Sequence, residues 1–146
     1  MSLFDKLQGN RQQKIDKEKS EGTDFLEKNK KSEGVIALPE GLQYQIIKEG
    51  TGAKPEPGAT IKAHYKGGLL NGSEFDNSFK RGQPFTARIN ALIKGWQVIL
   101  PMMPVGSTWR LWIPSDYGYG DNGAPQAGIP GGALLVFDIE LIDIVS

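Results

Sequence analysis

The chain has 146 residues, a length that suits one domain with a hydrophobic core and a short appendage. Its 17 basic residues balance its 17 acidic residues, so the net charge gives no general attraction to nucleic acid or to an anionic membrane. The absence of cysteine excludes disulfides, thiolate zinc sites and a cysteine nucleophile, and it is compatible with a reducing or an oxidising compartment.

Residues 1–40 are predicted to form a charged helical extension and linker. The first segment, MSLFDKLQGNRQQKIDK, contains no long apolar run with a cleavage site, so we expect no membrane span and a cytoplasmic protein, or a periplasmic one if a leader was removed. From Asn10 to Glu33 the composition favours a solvated helix, interrupted or ended near Gly22 and continued through DFLEKNKK. This segment is either a dimerising arm or a tethered helix; the lack of a sustained apolar stripe favours the second.

After Gly34 the apolar residues recur at every second position, as in half-buried antiparallel strands. The alternation predicts about five strands, near the ordinary number for a sheet, in QYQIIK, TIKAHYKG, PFTARI, TWRLWI and ALLVFDIELIDI. In NALIKGWQVILPMMP the apolar residues follow helical spacing instead, and Asn90 can cap this helix while Pro101 and Pro104 end it. Strands around a single short helix predict an α+β fold with an antiparallel sheet.

A glycine-rich loop at residues 118–132, here called the flap, begins with GYGDNG, which matches the nucleotide-binding pattern G-x-G-x-x-G. That pattern binds a pyrophosphate only where its last glycine opens a helix. The residues that follow, APQAGIPGG, contain too many prolines and glycines for a helix interior. We therefore predict a loop without nucleotide binding.

Acid–base and metal chemistry have few candidate residues. His64 is the only histidine, and it lies between Lys62 and Lys66 on the polar face of a predicted strand, so a structural role is the better interpretation. One histidine and scattered carboxylates give no metal-ligand spacing, and we expect neither a metal site nor a cofactor.

Aromatic residues are distributed over several strands, the short helix and the flap: Tyr65, Phe75, Phe85, Trp96, Tyr119 and Phe137. An apolar pocket between sheet and helix would collect them, although for Phe85 or Phe137 alone plain core packing is the simpler interpretation. Trp96 follows Gly95, and a flat ring beside a residue without a side chain can form the floor of a cleft.

Three segments resemble the FKBP-type peptidyl-prolyl cis-trans isomerases: AHYKGGLLNGSEFDNSFKRGQPF, LIKGWQVILPMMPVGSTWRLWIPSDYGYG and LLVFDIELIDI. A fourth, FLEKNKKSEGVIALPEGLQYQIIKEGTG, is similar to the helix-to-domain junction of the bacterial macrophage-infectivity-potentiator subgroup. The resemblance implies an isomerase domain at residues 41–146 after the extension, with a strongly curved antiparallel sheet wrapped on one short helix.

The resemblance also implies roles for particular residues. Catalytic roles fall on Asp76, Tyr119, Trp96 and Phe137. Substrate-binding roles fall on Tyr65, Phe75, Arg81, Phe85, Leu92, Ile93 and Ile129. Trp96 is the expected pocket floor, Arg81 the partner of the Asp76 carboxylate, and Tyr119 a hydrogen-bond donor to a ligand carbonyl. Because neighbouring strand residues face opposite ways, Phe75 and Asp76 can both reach the pocket only if the chain is bulged or leaves the sheet there.

The implied activity is faster rotation about X-Pro bonds in unfolded or flexible polypeptides, which assists folding. The alternative from another class is a non-catalytic chaperone or peptide-binding module that uses the same cleft. The resemblance further implies macrolide inhibitors, although Ala124 and Gly131 depart from the family pattern in the flap. A weak homodimer through the N-terminal helix is the other expected partner, and neither nucleic acid nor a membrane is expected.

Overall fold

The computed structural model describes residues 3–146, apart from the side chains of residues 4 and 5, so the first two residues of the predicted extension lie outside the described range. Its helices are α1 (Leu3–Asn29), α2 (Ser78–Arg81) and α3 (Lys94–Ile99). Its strands are β1 (Val35–Ala37), β2 (Gln43–Lys48), β3 (Thr60–Leu69), β4 (Glu74–Asn77), β5 (Phe85–Arg88), β6 (Thr108–Ile113) and β7 (Leu135–Ile144).

The strands form one antiparallel sheet in the order β1-β2-β6-β7-β3-β4, with β5 also paired to β3. The predicted α+β class and antiparallel sheet are confirmed, but residues 3–146 contain seven strands where about five were predicted. The two additional strands are β1, whose three residues are all apolar, and β4, which has one apolar residue in four, so neither shows an alternating pattern. Register shifts interrupt the pairs β2 with β6, β3 with β4 and β3 with β7, and such bulges bend a sheet.

The core lies on one face of this sheet. Its fully buried strand residues are Ile61, Ala63, Leu111, Ile113, Leu135, Ile139 and Leu141. Trp96, Ile99 and Leu100, from α3 and the turn after it, pack against this cluster. Because a fully buried aliphatic side chain contributes about 1.5–3 kcal/mol, the shared core holds α3 firmly against the strands that line the pocket.

Helix α3 begins later than predicted. Asn90 does not cap it, because residues Ile89–Ala91 form a separate 3-10 turn and the N-cap position is Ile93. Leu92 and Ile93 are extended between the two segments, and the Gln97 amide group donates a hydrogen bond back to the Leu92 carbonyl at 2.7 Å. The apolar residues at 92 and 93 are consequently free to face the pocket instead of belonging to the helix.

Helix α1 is continuous for 27 residues, so the predicted interruption near Gly22 is wrong. A Cβ atom at Gly22 would lie 3.2 Å from the Leu134 Cβ atom, which shows how closely the helix approaches the domain there. Ile15 and Gly22 are buried, and partly buried residues recur between and after them at helical spacing as far as Asn29. Tertiary packing thus overrides the low helix propensity of glycine. Within residues 3–146, no helix combines the length and apolar character needed to cross a membrane.

Gln43 connects α1 to the sheet and supplies a test of this docking. Its side chain is buried, accepts a hydrogen bond from Asn29 at 2.9 Å and donates one to the Leu26 carbonyl at 2.9 Å. We expect Gln43→Ala to lower the free energy of unfolding by about 1–3 kcal/mol, measured by urea denaturation. Gln45→Ala is the matched control, since its bond to the Glu33 carbonyl is exposed; equal losses in both variants would contradict the docking.

Candidate active site

A cavity of about 290 Å³ lies between strands β3, β4, β5 and β7, helix α3 and the flap. Its lining residues are Tyr65, Phe75, Asp76, Phe85, Leu92, Ile93, Trp96, Tyr119, Ala127, Ile129 and Phe137. Every predicted site residue except Arg81 is among them, and Arg81 contacts Asp76 from outside. The structure therefore brings the predicted residues together, while their roles remain predictions.

Trp96 lies at the centre of the aromatic residues. The residue is 3% exposed, and the rings of Tyr65, Phe85 and Phe137 stand edge-on to its ring, with centroids 5.2, 5.5 and 5.1 Å away. Such edge-to-face pairs are favourable because the positive ring edge meets the negative ring face. The indole nitrogen of Trp96 has no hydrogen-bond partner among residues 3–146. These contacts hold the four rings in one arrangement around the cavity.

Gly95 permits α3 to approach the sheet closely. A Cβ atom at this position would lie 2.7 Å from the Ile113 Cγ2 atom, closer than real Cβ contacts occur. A larger residue would push the helix, and the Trp96 ring with it, away from β6. The prediction that a residue without a side chain belongs beside the tryptophan therefore has a steric basis.

Gly67 lies against two of the pocket rings, and sequence analysis did not identify it. A Cβ atom there would lie 2.6 Å from Phe137 Cε1 and 2.8 Å from Phe75 Cε1, so only glycine lets both rings pack against this part of β3. The Phe75 and Phe137 rings meet edge to face at 5.6 Å. A glycine inside a strand is a signal of close approach, which could have identified the position.

The bulge predicted near Phe75 and Asp76 is present in β4. Gly67 pairs with Asp76 and Gly68 pairs with Glu74, which leaves Phe75 as an extra residue on β4. Because the bulge interrupts the alternation of faces, Phe75 and Asp76 both line the cavity.

Helix α2 brings Arg81 to Asp76. Asn77 caps this helix by accepting a hydrogen bond from the Lys80 backbone at 3.1 Å, and Gly82 ends it with φ of 70°. The single turn lets Arg81 donate to Asp76 Oδ1, while the Tyr65 hydroxyl donates to Asp76 Oδ2. The Asp76 carboxylate thus links Tyr65, in the wall of the pocket, to the guanidinium group of Arg81, which faces solvent.

The pKa of Asp76 reflects two opposing causes. Burial alone would raise it, but hydrogen bonds from Tyr65 and Arg81, together with the Arg81 charge, outweigh burial and hold this pKa below its usual value. Burial, and then the bond to Asp76, raise the pKa of the Tyr65 hydroxyl. At neutral pH, Asp76 is therefore an ionised acceptor and Tyr65 a neutral donor.

The flap covers the cavity with Tyr119 and Ile129. Tyr119 is 41% exposed at the rim, whereas Ile129 is buried. Backbone hydrogen bonds join Ala124 to Ile129 and Gly132 to Gly120, each at 2.9 Å, so the flap is a closed loop. The prediction of a loop in place of a nucleotide-binding helix is confirmed. Ala127, which also lines the cavity, was not predicted, because nothing in its local sequence distinguishes it.

His64 lies outside the cavity. Its Nδ1 atom is 2.8 Å from the Ser78 hydroxyl, and its ring stacks on Phe79 with centroids 4.7 Å apart. Ser78 also bonds the backbone of Tyr65, accepting from its nitrogen at 2.7 Å and donating to its oxygen at 3.2 Å. These contacts agree with the predicted structural role, in which the histidine supports the start of α2.

Comparisons with known families agree with this site. Residues 51–142 match the family described as FKBP-type peptidyl-prolyl cis-trans isomerase, and residues 1–46 match the domain amino terminal to FKBP-type peptidyl-prolyl isomerase. An aromatic pocket on an antiparallel sheet with one covering helix is thus accompanied by a family match over most of the chain. The chain belongs to the FKBP-type peptidyl-prolyl cis-trans isomerase family, as its resemblance implied.

Individual relatives come from the predicted bacterial subgroup and its neighbours. The chain is 46% identical to the FKBP-type peptidyl-prolyl cis-trans isomerase FkpA of Aeromonas hydrophila, over 84% of this chain and 45% of the relative. It is 41% identical to the outer membrane protein MIP of Legionella longbeachae, over 90% of this chain and 56% of the relative. It superposes on the crystal structure of FkpA from Escherichia coli with a TM-score of 0.89 and 37% identity, covering 94% of this chain and 63% of that one. The chain spans about half the length of the curated relatives it matches.

Proposed function

We propose that the chain catalyses cis–trans isomerisation of X-Pro bonds in unfolded or flexible polypeptides and binds the prolyl group in the aromatic pocket. The observation that carries this proposal is the arrangement of Tyr65, Phe85 and Phe137 edge-on around Trp96 beside an open cavity. At about 290 Å³ the cavity is at the small end of ligand pockets, which suits a single apolar residue. Acceleration of proline-limited peptide isomerisation by the full chain tests the proposal, and an unchanged rate would refute it.

The proposed reaction breaks no covalent bond, so it needs neither a nucleophile nor a proton donor of matched pKa. Rotation is slow because the amide must lose its resonance, against a barrier of roughly 18–20 kcal/mol. Water stabilises the polar planar amide more than the less polar twisted one. Moving the bond into an apolar pocket therefore penalises the planar forms more than the transition state.

The proposed catalytic residues are Asp76, Tyr119, Trp96 and Phe137. Trp96 and Phe137 supply apolar surface for the prolyl ring, and Tyr119 donates a hydrogen bond to a substrate carbonyl from the rim. Asp76 holds the Tyr65 ring in the pocket wall through its hydroxyl. Substrate binding falls to Tyr65, Phe75, Phe85, Leu92, Ile93 and Ile129, with Arg81 acting through Asp76.

Asp76→Asn tests the proposed role of this carboxylate. We expect an intermediate loss of about tenfold in kcat/KM, near 1.4 kcal/mol, because the amide is a weaker acceptor for Tyr65 and Arg81. Peptide isomerisation kinetics measure this effect. Asp24→Asn, on the exposed side of α1, should leave the rate unchanged. A wild-type rate in Asp76→Asn would make the Asp76 and Arg81 pair a purely structural closure of the loop.

The lowered pKa of Asp76 also predicts how stability depends on pH. A depressed folded pKa contributes stability that is present above the unfolded value of about 3.9 and is lost as pH falls through the folded pKa. The free energy of unfolding should therefore fall below about pH 4 more steeply in the wild type than in Asp76→Asn. Parallel acid-denaturation profiles of the two proteins would contradict the ionised, hydrogen-bonded state of Asp76.

Macrolide inhibitors are a further proposed ligand class. The support is the same apolar pocket, whose Tyr119 and Ile129 are supplied by the flap. Competition between a macrolide and a proline peptide for quenching of tryptophan fluorescence tests this. Quenching that persists in Trp96→Phe would show that the drug binds elsewhere.

A weak homodimer through α1 is also proposed. The support is the exposed apolar surface near the start of this helix, where Leu3 and Leu7 are 72% and 57% exposed. Sedimentation equilibrium should show concentration-dependent association that Leu7→Glu abolishes. Identical sedimentation of the two proteins would exclude this contact.

For the compartment we propose the cytoplasm, with the periplasm as the alternative. A chain without cysteine keeps the same covalent structure under reducing and oxidising conditions, so its chemistry suits both. Fractionation of the native cells distinguishes the two.

A further inference from the structure

Helix α1 packs directly on the flap. Ile15 is 3% exposed, although the residues on either side of it along the helix are exposed. Its partners are two flap glycines: a Cβ atom at Gly131 would lie 3.2 Å from Ile15 Cγ1, and one at Gly132 would lie 3.2 Å from Ile15 Cγ2. Ile15 therefore makes a buried apolar contact between α1 and the end of the flap.

The flap glycines make this close approach sterically feasible. A Cβ atom at Gly132 would lie 2.7 Å from the Ile15 carbonyl oxygen, and one at Gly131 would lie 1.9 Å from the Asp121 carbonyl oxygen. Gly131 is one of the two positions at which this chain departs from the family pattern. The departure creates the space in which the helix and the two ends of the flap meet.

Polar contacts attach the other end of the flap to the same helix. The Lys19 ammonium lies 2.6 Å from Asp121 Oδ1, and the Arg11 guanidinium donates to Asn122 Oδ1 at 2.9 Å. Asp121 and Asn122 follow Tyr119 within three residues, and the Ile15 contact follows Ile129 within three residues. A backbone bond from Gly132 to Gly120 at 2.9 Å joins the two ends.

We propose, building on the isomerase function proposed above, that α1 is a positioning element for the active site. Ile15 packs on Gly131 and Gly132, and Lys19 pairs with Asp121. Through these contacts the helix fixes the distance of Tyr119 and Ile129 from the prolyl pocket that they cover. None of the α1 residues lines the pocket. Ile15, Lys19 and Arg11 therefore act through the flap, and they set substrate affinity more than the rate of rotation in the bound complex.

The relative importance of these contacts follows from their exposure. The side chains of Lys19 and Asp121 are 41% and 52% exposed, and exposed ion pairs are screened by water and weak. Ile15 is buried, so its truncation removes close packing that solvent does not replace. We expect the largest effect from Ile15→Ala and a smaller one from Lys19→Ala.

The test uses the full chain and two readouts. In Ile15→Ala, amide hydrogen exchange across residues 118–132 should become about tenfold faster while β6 and β7 keep their protection. KM for a proline peptide should rise about fivefold with kcat within about twofold, because flap contacts bind substrate without contributing further in the transition state. Lys19→Ala should show the same pattern at about twofold.

Conservative and control variants complete the test. Ile15→Val should retain wild-type exchange and KM. Lys30→Ala, which removes the lysine of an exposed ion pair with Glu27 just after the end of α1, should change neither. Circular dichroism shows whether Ile15→Ala keeps its helix content. If it does not, a double-mutant cycle of Lys19→Ala and Asp121→Ala tests the positioning role instead. The proposal requires that the effects of these two substitutions on KM are not additive.

Two results would overturn the positioning role. One is unchanged exchange in the flap of folded Ile15→Ala. The other is a loss confined to kcat with KM unchanged. If the wild type does not accelerate isomerisation, the proposed function is wrong, but the positioning role can still be tested. Hydrogen exchange in the flap and the dissociation constant of a proline peptide then decide whether α1 positions the flap.

Discussion

Trp96→Ala is expected to lower kcat/KM for a proline peptide by at least about a hundredfold, which corresponds to about 2.7 kcal/mol of lost transition-state stabilisation. The indole ring contacts Tyr65, Phe85 and Phe137 at once. Removal of the indole ring lets water reach the floor of the pocket and removes the contact that holds the other three rings in place. Water can then solvate the planar amide, and the difference in stability that favours the twisted amide is lost. Protease-coupled peptide isomerisation at several enzyme concentrations measures the change.

A second tryptophan supplies the control for this prediction. Truncating a buried tryptophan also costs about 3–5 kcal/mol of stability, so lower activity by itself does not identify the site. Trp109 is equally buried, stacks on Tyr44 at 4.5 Å and is not among the pocket residues. Trp109→Ala should lose comparable stability while its folded fraction keeps a near wild-type kcat/KM. If both variants lose activity in proportion to the folded fraction, or if folded Trp96→Ala retains the wild-type rate, the pocket assignment is wrong.

Gly67→Ala is expected to have the next largest effect, a loss of roughly thirtyfold in kcat/KM from the addition of one methyl group. The new Cβ atom would overlap the edges of both Phe137 and Phe75. Because β3 is held by β7 along its length, the rings must move instead of the strand, and they move into the cavity. Overpacking of this kind also destabilises by about 1–3 kcal/mol.

The neighbouring glycine distinguishes a blocked pocket from a damaged strand. A Cβ atom at Gly68 would lie 2.9 Å from the Ser73 carbonyl oxygen, and its nearest neighbours are backbone atoms of Ser73 and Glu74. Gly68→Ala should therefore lose stability to a similar degree but retain peptide affinity, measured by isothermal titration. Equal losses of affinity in the two variants would mean that Gly67 matters only for the sheet.

The fold was predictable from the sequence where one face of a strand is buried and the other is exposed. Strands β3 and β7 approach this property, because buried residues alternate with less buried ones along most of their length, so their alternating pattern reports their structure; the end of β6, in contrast, is buried on both faces. Strands β1 and β4 show no alternation, because β1 is apolar throughout and β4 has a single apolar residue. The helix break predicted near Gly22 was wrong. The local sequence does not distinguish a glycine that ends a helix from one that lets the helix pack closely, as Gly22 does on Leu134.

The composition of the pocket was predictable for a different reason. The aromatic residues and the FD pair stand in segments that resemble the family, and the structure brings them to one cavity. The bulge at Phe75 followed from the requirement that two adjacent residues share a face. Gly67 and Ile15 were not predicted, because each acts through a contact with a residue distant in the chain. No period or motif reports such a contact.

The central claim is that the aromatic pocket accelerates rotation of an X-Pro bond and does not merely hold the peptide. Exchange spectroscopy by NMR on a short proline peptide, with the full chain at catalytic concentration, measures both properties in one sample. We predict cis and trans resonances that exchange many times faster than in the free peptide, and loss of this acceleration in Trp96→Ala. Line broadening from binding at an unchanged exchange rate would contradict the claim, and it would make the chain a peptide-binding module that uses the same cleft.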